Sequence, residues 1–226
     1  MTIIEKFGTH NIANYYARKI KYIVIHYTAG VISKKGSAQN VANWYGNSAC
    51  GCSSDFVVDD LEVVQYNGDI ENKYTWHCGG EKYSNKGGKL YGVATNLNSI
   101  GIEICSTNSS GQMTFPNDSR YSFTDAAIDN TVELVRYLMD KYNIPPENVI
   151  RHYDTTGKVC PGVIGWNDES GDTSAWEKFK ERIGADKNDY VYVVQRIQCA
   201  VFKDENKAKE YAKRIGAEVK RMKCAE

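Results

Sequence analysis

The chain has four histidines, His10, His26, His77 and His152, and seven cysteines. Two of the histidines close β-branched runs: His26 ends "YIVIH" and His152 ends "VIRH". Cys160 follows His152 across the turn-rich stretch "YDTTGKV". Two imidazoles and one thiolate suit zinc, and three protein ligands leave a fourth position for water. Such a water has its pKa lowered to about 7 and attacks at neutral pH. His152 and Cys160 also admit a second chemistry, a thiol nucleophile with its base. That chemistry leaves His26 without a role and needs an exposed, electropositive cysteine.

Two further side chains could move or stabilise charge. Glu103 sits in "SIGIEIC", alternating with Ile102 and Ile104, so its carboxylate points away from the two isoleucines. A glutamate in an apolar strand is costly unless it is paired or used. It could take a proton from an attacking water and hand it to a leaving amine. Lys158 stands two residues before Cys160, where a fixed positive charge could face a developing oxyanion. The bland alternatives are a salt-bridged strand glutamate and a solvated loop lysine.

These residues need elements to hold them. "YIVIHYTAG" reads as a central strand, and "SAQNVANWYGN" as a short helix burying Val41, Trp44 and Tyr45. "SDFVVDDLEVVQY" reads as a hairpin, with Asp55, Asp59 and Asp60 on its surface. "SIGIEIC" is another strand. "FTDAAIDNTVELVRYLMDKYNIPP" is the strongest helix: Thr124 caps it, Phe123 staples onto Ile128, Pro145 and Pro146 stop it. Its buried stripe is expected at Ile128, Val132, Val135, Met139 and Tyr142. "NVIRH" is a strand that delivers His152 to the loop. "SAWEKFKERIG" is a helix with a Ser174–Glu177 capping box. Residues at the carboxyl ends of neighbouring strands in an α/β sheet converge on one rim, where ligands bind. This is how His26 and His152 would meet.

The 226 residues are enough for one sizeable core and a small second unit. Lys+Arg and Asp+Glu both total 28, which argues against nucleic acid as a partner. No apolar run approaches the roughly 20 residues of a membrane span, and "MTIIEKFGTHNIANYYARK" lacks an apolar signal core. The expectation is synthesis in the cytoplasm with reduced thiols, the Cys50/Cys52 pair included.

In this order, "YIVIHYTAG", "SSDFVVDDLEVVQ", "TWHCGG", "NSIGIEIC" and "RHYDTTGKVCPG" resemble the zinc N-acetylmuramoyl-L-alanine amidase family, which includes many phage endolysins and the peptidoglycan recognition proteins. The resemblance covers residues 20–165. It implies an α/β fold with a central mixed sheet flanked by helices. It implies a zinc site in a surface cleft and hydrolysis of the amide joining N-acetylmuramic acid to the first alanine of the stem peptide. The partner would be bacterial peptidoglycan, met at the cell wall after release. The family's metal ligands fall on His26, His152 and Cys160, its catalytic glutamate on Glu103 and its lysine on Lys158. His77, in "TWHCGG", falls on a cleft position and is a substrate-binding candidate. A tyrosine that assists the water in one branch is replaced here by Ser54, so the proton work is assigned to Glu103. Non-catalytic receptors of the family tend to lack the cysteine ligand.

The expected organisation is a catalytic domain over 1–183, a linker over 184–189 and a small βαβ unit over 190–226. The last segment looks like one half of a SPOR-type peptidoglycan-binding repeat. It would bind the wall or be completed by homodimerisation.

Overall fold

The computed structural model describes residues 3–84, 86–184, 190–195, 200–202, 205–215 and 218–223. Cys199, Cys224 and all of the expected linker except Gly184 lie outside these. The chain divides into two compact units, 1–183 and 184–226. In chain order the strands of the first are β1 (Ile3–Glu5), β2 (Ile12–Asn14), β3 (Tyr22–Tyr27), β4 (Phe56–Val58), β5 (Val63–Gln65), β6 (Lys73–Thr75), β7 (Ser99–Ile104), β8 (Thr107–Asn108), β9 (Tyr121–Ser122) and β10 (Val149–Arg151). Its α-helices are α1 (Ser37–Tyr45), α2 (Asp125–Tyr142), α3 (His152–Thr156) and α4 (Ser174–Gly184).

Six strands form one mixed sheet in the order β1-β5-β4-β7-β3-β10. Only the β4–β5 hairpin pairs antiparallel; β4–β7, β7–β3 and β3–β10 are parallel. The period of two in β3 and β7 sorts their side chains. Ile23, Ile25, Ile100, Ile102 and Ile104 join the main core with Leu134, Leu138, Phe179 and Ile183 of α2 and α4. The opposite face packs Val57 and Val64 against Ala38, Ala42 and Tyr45 of α1. The sheet is therefore covered on both faces, which is why its interior strands read as apolar runs.

The expected cap of α2 is present: Thr124 Oγ1 accepts from Ala127 N at 3.1 Å and donates to Asp60 Oδ1 at 2.5 Å. Thr124→Ala should therefore lower stability by about 1–2 kcal/mol in urea unfolding. Unchanged stability would mean that the cap carries no load. The helix stops before the prolines, at Asn143, whose left-handed φ of 53° closes it. Its buried face is centred on Thr131, Leu134, Val135 and Leu138. Of the expected stripe, Val132 and Val135 are buried, while Ile128, Met139 and Tyr142 lie at the margin of that face.

Several local expectations shift. Trp44 is 53% exposed, while Ala38 and Ala42 fill the buried side of α1. Small residues face the sheet there because α1 packs close to β4 and β5. Asp55 and Asp59, expected on the hairpin surface, are fully buried. Asp55 accepts from Asn67 Nδ2, Thr75 Oγ1 and the Gly101 amide, and Asp59 from the amides of Ala38, Leu61 and Glu62. Such saturation is what lets a buried carboxylate persist. Ser174 is already helical and donates to Asp172, while the Glu177 carboxylate accepts from Thr173 Oγ1 at 2.7 Å, so the expected Ser174–Glu177 capping box is not formed.

The second unit contains β11 (Tyr190–Gln195), β12 (Ala200–Phe202), α5 (Glu205–Ile215) and β13 (Glu218–Lys223). Its sheet is antiparallel in the order β12-β11-β13. The expected βαβ arrangement thus becomes ββαβ: the short run Ala200–Phe202 folds back on β11 as a strand of its own. No helix among the described residues is long and apolar enough to cross a membrane.

Candidate active site and metal centre

Three neighbouring parallel strands deliver the site to one rim. His26 is the penultimate residue of β3 and stands directly opposite Glu103 of β7. Cross-strand partners project from the same face of a sheet, so the imidazole and the carboxylate share one side. Arg151, the last residue of β10, pairs with Ile25, which sets His152 beside His26. His152 opens α3 instead of ending a strand. The turn after it is locked by ion pairs: Arg151 bonds Asp154 at 2.7 Å and Asp168 at 2.9 Å. Gly157 then reverses the chain at φ 80°, and an added Cβ would sit 2.7 Å from the Ser84 amide. The returning strand of the loop is tied by Tyr153 N to Cys160 O at 2.9 Å, which brings the thiol under both imidazoles.

The result is a buried cluster. One ligand atom from each of His26, His152 and Cys160 lies within 4.8 Å of the others. His26 Nδ1 is 3.7 Å from Cys160 Sγ, and the rings of His26 and His152 are 4.7 Å apart, edge to face. Both nitrogens of His152 are buried without a hydrogen-bond partner among the described residues, as is Glu103 Oε2. A buried polar atom left unpaired costs about 1–3 kcal/mol, and four-coordinate zinc is the group that satisfies an imidazole–imidazole–thiolate set. The donor set therefore fits the ion.

Electrostatics follow from burial. His152 and His77 are pushed down to about 3 and His26 well below the ordinary imidazole value, by desolvation first and then by neighbouring positive charge. Burial pushes the Glu103 carboxyl up to about 8, and the Lys158 ammonium pulls back against it. Cys160 is pushed up to about 12 by burial and by Glu103. An activated thiol nucleophile needs the opposite shift and an exposed sulfur, whereas Cys160 is only 3% exposed.

A stability dependence follows for the metal-free protein. Unfolded imidazoles take up protons near pH 6.5, whereas the folded rings refuse them until pH is much lower. Stability is therefore lost as pH falls below 6.5. Glu103 and Asp55, both raised by burial, act in the opposite sense, leaving three groups against two. As pH falls toward 5 the unfolded imidazoles approach full protonation, the net uptake approaches about one proton and the loss approaches about 1.4 kcal/mol per pH unit. Urea unfolding of the apoprotein from pH 6.5 to 5 reads this slope, and a flat profile would contradict the buried neutral rings.

Lys158 is exposed at the lip of a cleft of about 560 Å³ that also takes in Tyr27, Thr28, Tyr83, Cys160 and Glu169. A second, more apolar trough of about 350 Å³ shares Thr28 and is walled by Val41, Trp44, Cys105 and Met113. The Trp44 that left the core lines it. Ser54 is fully buried; its hydroxyl donates to Phe56 O at 2.8 Å and lies 3.2 Å from Tyr45 Oη. His77 lies behind His26, 8% exposed, with one ring nitrogen 3.1 Å from His26 Nε2 and the other 3.2 Å from Ser99 Oγ. Nothing in the local pattern of "TWHCGG" foretold that contact. Only the pairing of β3 with β7 brings Ser99 and His26 to the same ring. All five cysteines among the described residues are free thiols.

Residues 16–163 match the family model described as N-acetylmuramoyl-L-alanine amidase. Over 146 residues the chain is 33% identical to N-acetylmuramoyl-L-alanine amidase CwlA of Bacillus subtilis (strain 168), covering 65% of this chain and 44% of that protein. Its fold is similar to the solved catalytic domain of XlyA, with TM-score 0.58 and 29% identity over 81% of this chain and 100% of that one. A mutant endolysin from Bacillus subtilis gives TM-score 0.57 and 31% identity over 81% of this chain and 100% of that one. The chain spans about half, or less, of the length of the curated relatives it matches.

Proposed function

Because the chain belongs to the N-acetylmuramoyl-L-alanine amidase family, we propose that it hydrolyses the amide between N-acetylmuramic acid and L-alanine in bacterial peptidoglycan, in the manner of a phage or prophage endolysin. The observation that carries this reading is the His26–His152–Cys160 cluster, three ligand atoms within 4.8 Å beside an open cleft. A zinc ion held there would polarise the scissile carbonyl and activate the hydrolytic water.

The chain's own residues do the rest. Glu103 takes the proton given up by the attacking water and hands it to the departing alanine nitrogen, a task suited to a group poised near neutral pH. Lys158, at the cleft lip, faces the carbonyl oxygen as negative charge grows on it. The cleft of about 560 Å³ carries both apolar and polar lining, from Tyr27 and Tyr83 to Lys158 and Glu169, which suits a glycopeptide. The neighbouring apolar trough at Trp44 offers a flat ring to a sugar face or an alanine methyl. The unit from 184 onward serves as a wall-binding or self-association module, supported by its separate ββαβ sheet.

The test is product chemistry on purified peptidoglycan. An amidase releases stem peptides with new free alanine amino groups and no new reducing sugar ends. A chelator stops the release and added zinc restores it. Wall binding with no release would instead assign a receptor role, and inhibition by thiol alkylation with indifference to chelators a thiol peptidase.

A further inference from the structure

His77 is the one imidazole near the centre that the proposed chemistry leaves unused, and its contacts determine a proton position. Ser99 Oγ donates its single proton to Thr95 O at 2.6 Å. The 3.2 Å contact between Ser99 Oγ and His77 Nε2 must then be donated by the ring. A neutral imidazole has one donor and one acceptor, so His77 Nδ1 is left as an acceptor. The 3.1 Å contact of that atom with His26 Nε2 must in turn be donated by His26. His26 thus carries its proton on Nε2, and its Nδ1 lone pair is bare on the side where Cys160 Sγ stands 3.7 Å away.

We propose that His77, held between Ser99 and His26, is a positioning residue that locks His26 in the Nε2-protonated tautomer and presents Nδ1 as a ready-made metal ligand. This inference rests on the reading of His26 as a ligand.

The surroundings of His77 are built for such a part. The amides of His77 and Cys78 both donate to Asn96 Oδ1, at 3.1 and 2.8 Å, which fixes the backbone under the ring. The ring lies flat over Gly101 of β7, where an added Cβ would come within 2.6 Å of His77 Cγ. Glycine at that strand position leaves room for the imidazole to reach its neighbour. The two rings meet edge to face, 5.3 Å apart at 89°. With both nitrogens engaged and 8% of its surface exposed, His77 has little left to offer a substrate. Fixing the tautomer and orientation of a ligating histidine through its other ring nitrogen is worth about 10–100-fold in metal affinity.

Two measurements decide the matter. Long-range proton–nitrogen NMR on the metal-free wild-type chain at pH 7.5 reads the tautomer directly. The expected result is a pyrrole-like Nε2 and a pyridine-like Nδ1 on His26, with a pyrrole-like Nε2 on His77. Protonation of His26 at Nδ1 would overturn the proposal. Zinc dissociation constants, by competition with a chromophoric chelator, read the consequence. His77→Ala should weaken zinc about 10–100-fold. His77→Asn restores a carbonyl oxygen at the Nδ1 position and should recover most of that loss. Ser99→Ala, which keeps the His26 contact but frees the ring, should show the same direction in a smaller measure. A folded His77→Ala chain that binds zinc as tightly as wild type would sink the proposal. If the wild type took up no zinc, the ligand reading would fall, and the NMR tautomer would still decide what His77 does.

Discussion

Replacing Cys160 by serine should leave a folded chain that holds no zinc at micromolar metal and hydrolyses peptidoglycan at less than about a thousandth of the wild-type rate. The reason is the chemistry of the third donor. A thiolate is a soft, charged ligand at neutral pH, whereas a serine hydroxyl stays protonated and binds zinc weakly. The site would then offer two neutral imidazoles alone. Burial makes this worse: Cys160 is 3% exposed, so the new hydroxyl has no water to satisfy it. The wild-type thiol is itself held up at about 12 by burial and by Glu103, so zinc must displace its proton on binding. Uptake of zinc should accordingly release protons, which a weakly buffered titration detects. Metal analysis of the purified variant, with a wall-clearing assay beside it, checks the expectation. Full zinc occupancy in Cys160→Ser would contradict the ligand assignment.

The second large effect is expected at Glu103. Glu103→Gln should keep zinc and lose turnover by about 10²–10⁴-fold, the usual contribution of a general acid–base group. The same change should not weaken the apoprotein. The wild-type carboxyl is raised to about 8 by burial, so from pH 4.5 upward the folded state holds a proton that the unfolded chain gives up. That difference is a destabilisation that grows as pH rises toward 8. An amide of the same shape does not titrate and escapes it. A variant that is as stable as wild type near pH 8, yet catalytically crippled, is the signature of a residue retained for chemistry at a cost in stability. Wild-type rates in Glu103→Gln would remove Glu103 from the mechanism. Loss of zinc in it would make the carboxylate a metal partner instead.

Much of the sheet was legible because β-branched alternation is a local signal. "YIVIH" and "SIGIEIC" became β3 and β7, and their parallel pairing set His26 opposite Glu103. The cap at Thr124 was equally local, one hydroxyl and an amide three residues on. What escaped were features decided by distant partners. Whether Trp44 or Ala38 faced the sheet depended on how closely α1 packs on the hairpin strands. The burial of Asp55 and Asp59 depended on amides from Gly101 and Ala38, far along the chain. The additional strand of the second unit is a three-residue run that carries almost no periodic signal. For the site, the types and spacing of His26, His152 and Cys160 singled out three side chains that the fold brings within 4.8 Å of one another. The hydrogen-bonded chain through His77 required three segments to be seen together.

X-ray absorption at the zinc edge, on protein carrying one zinc per chain, reads whether His26, His152 and Cys160 hold the ion together. One sulfur is expected at about 2.3 Å and two imidazole nitrogens at about 2.0–2.1 Å, with one light oxygen donor completing the shell. The sulfur should vanish in Cys160→Ser. A shell of nitrogen and oxygen alone in the wild type would rule out the His26–His152–Cys160 centre, as would a sulfur shell that survives the loss of Cys160.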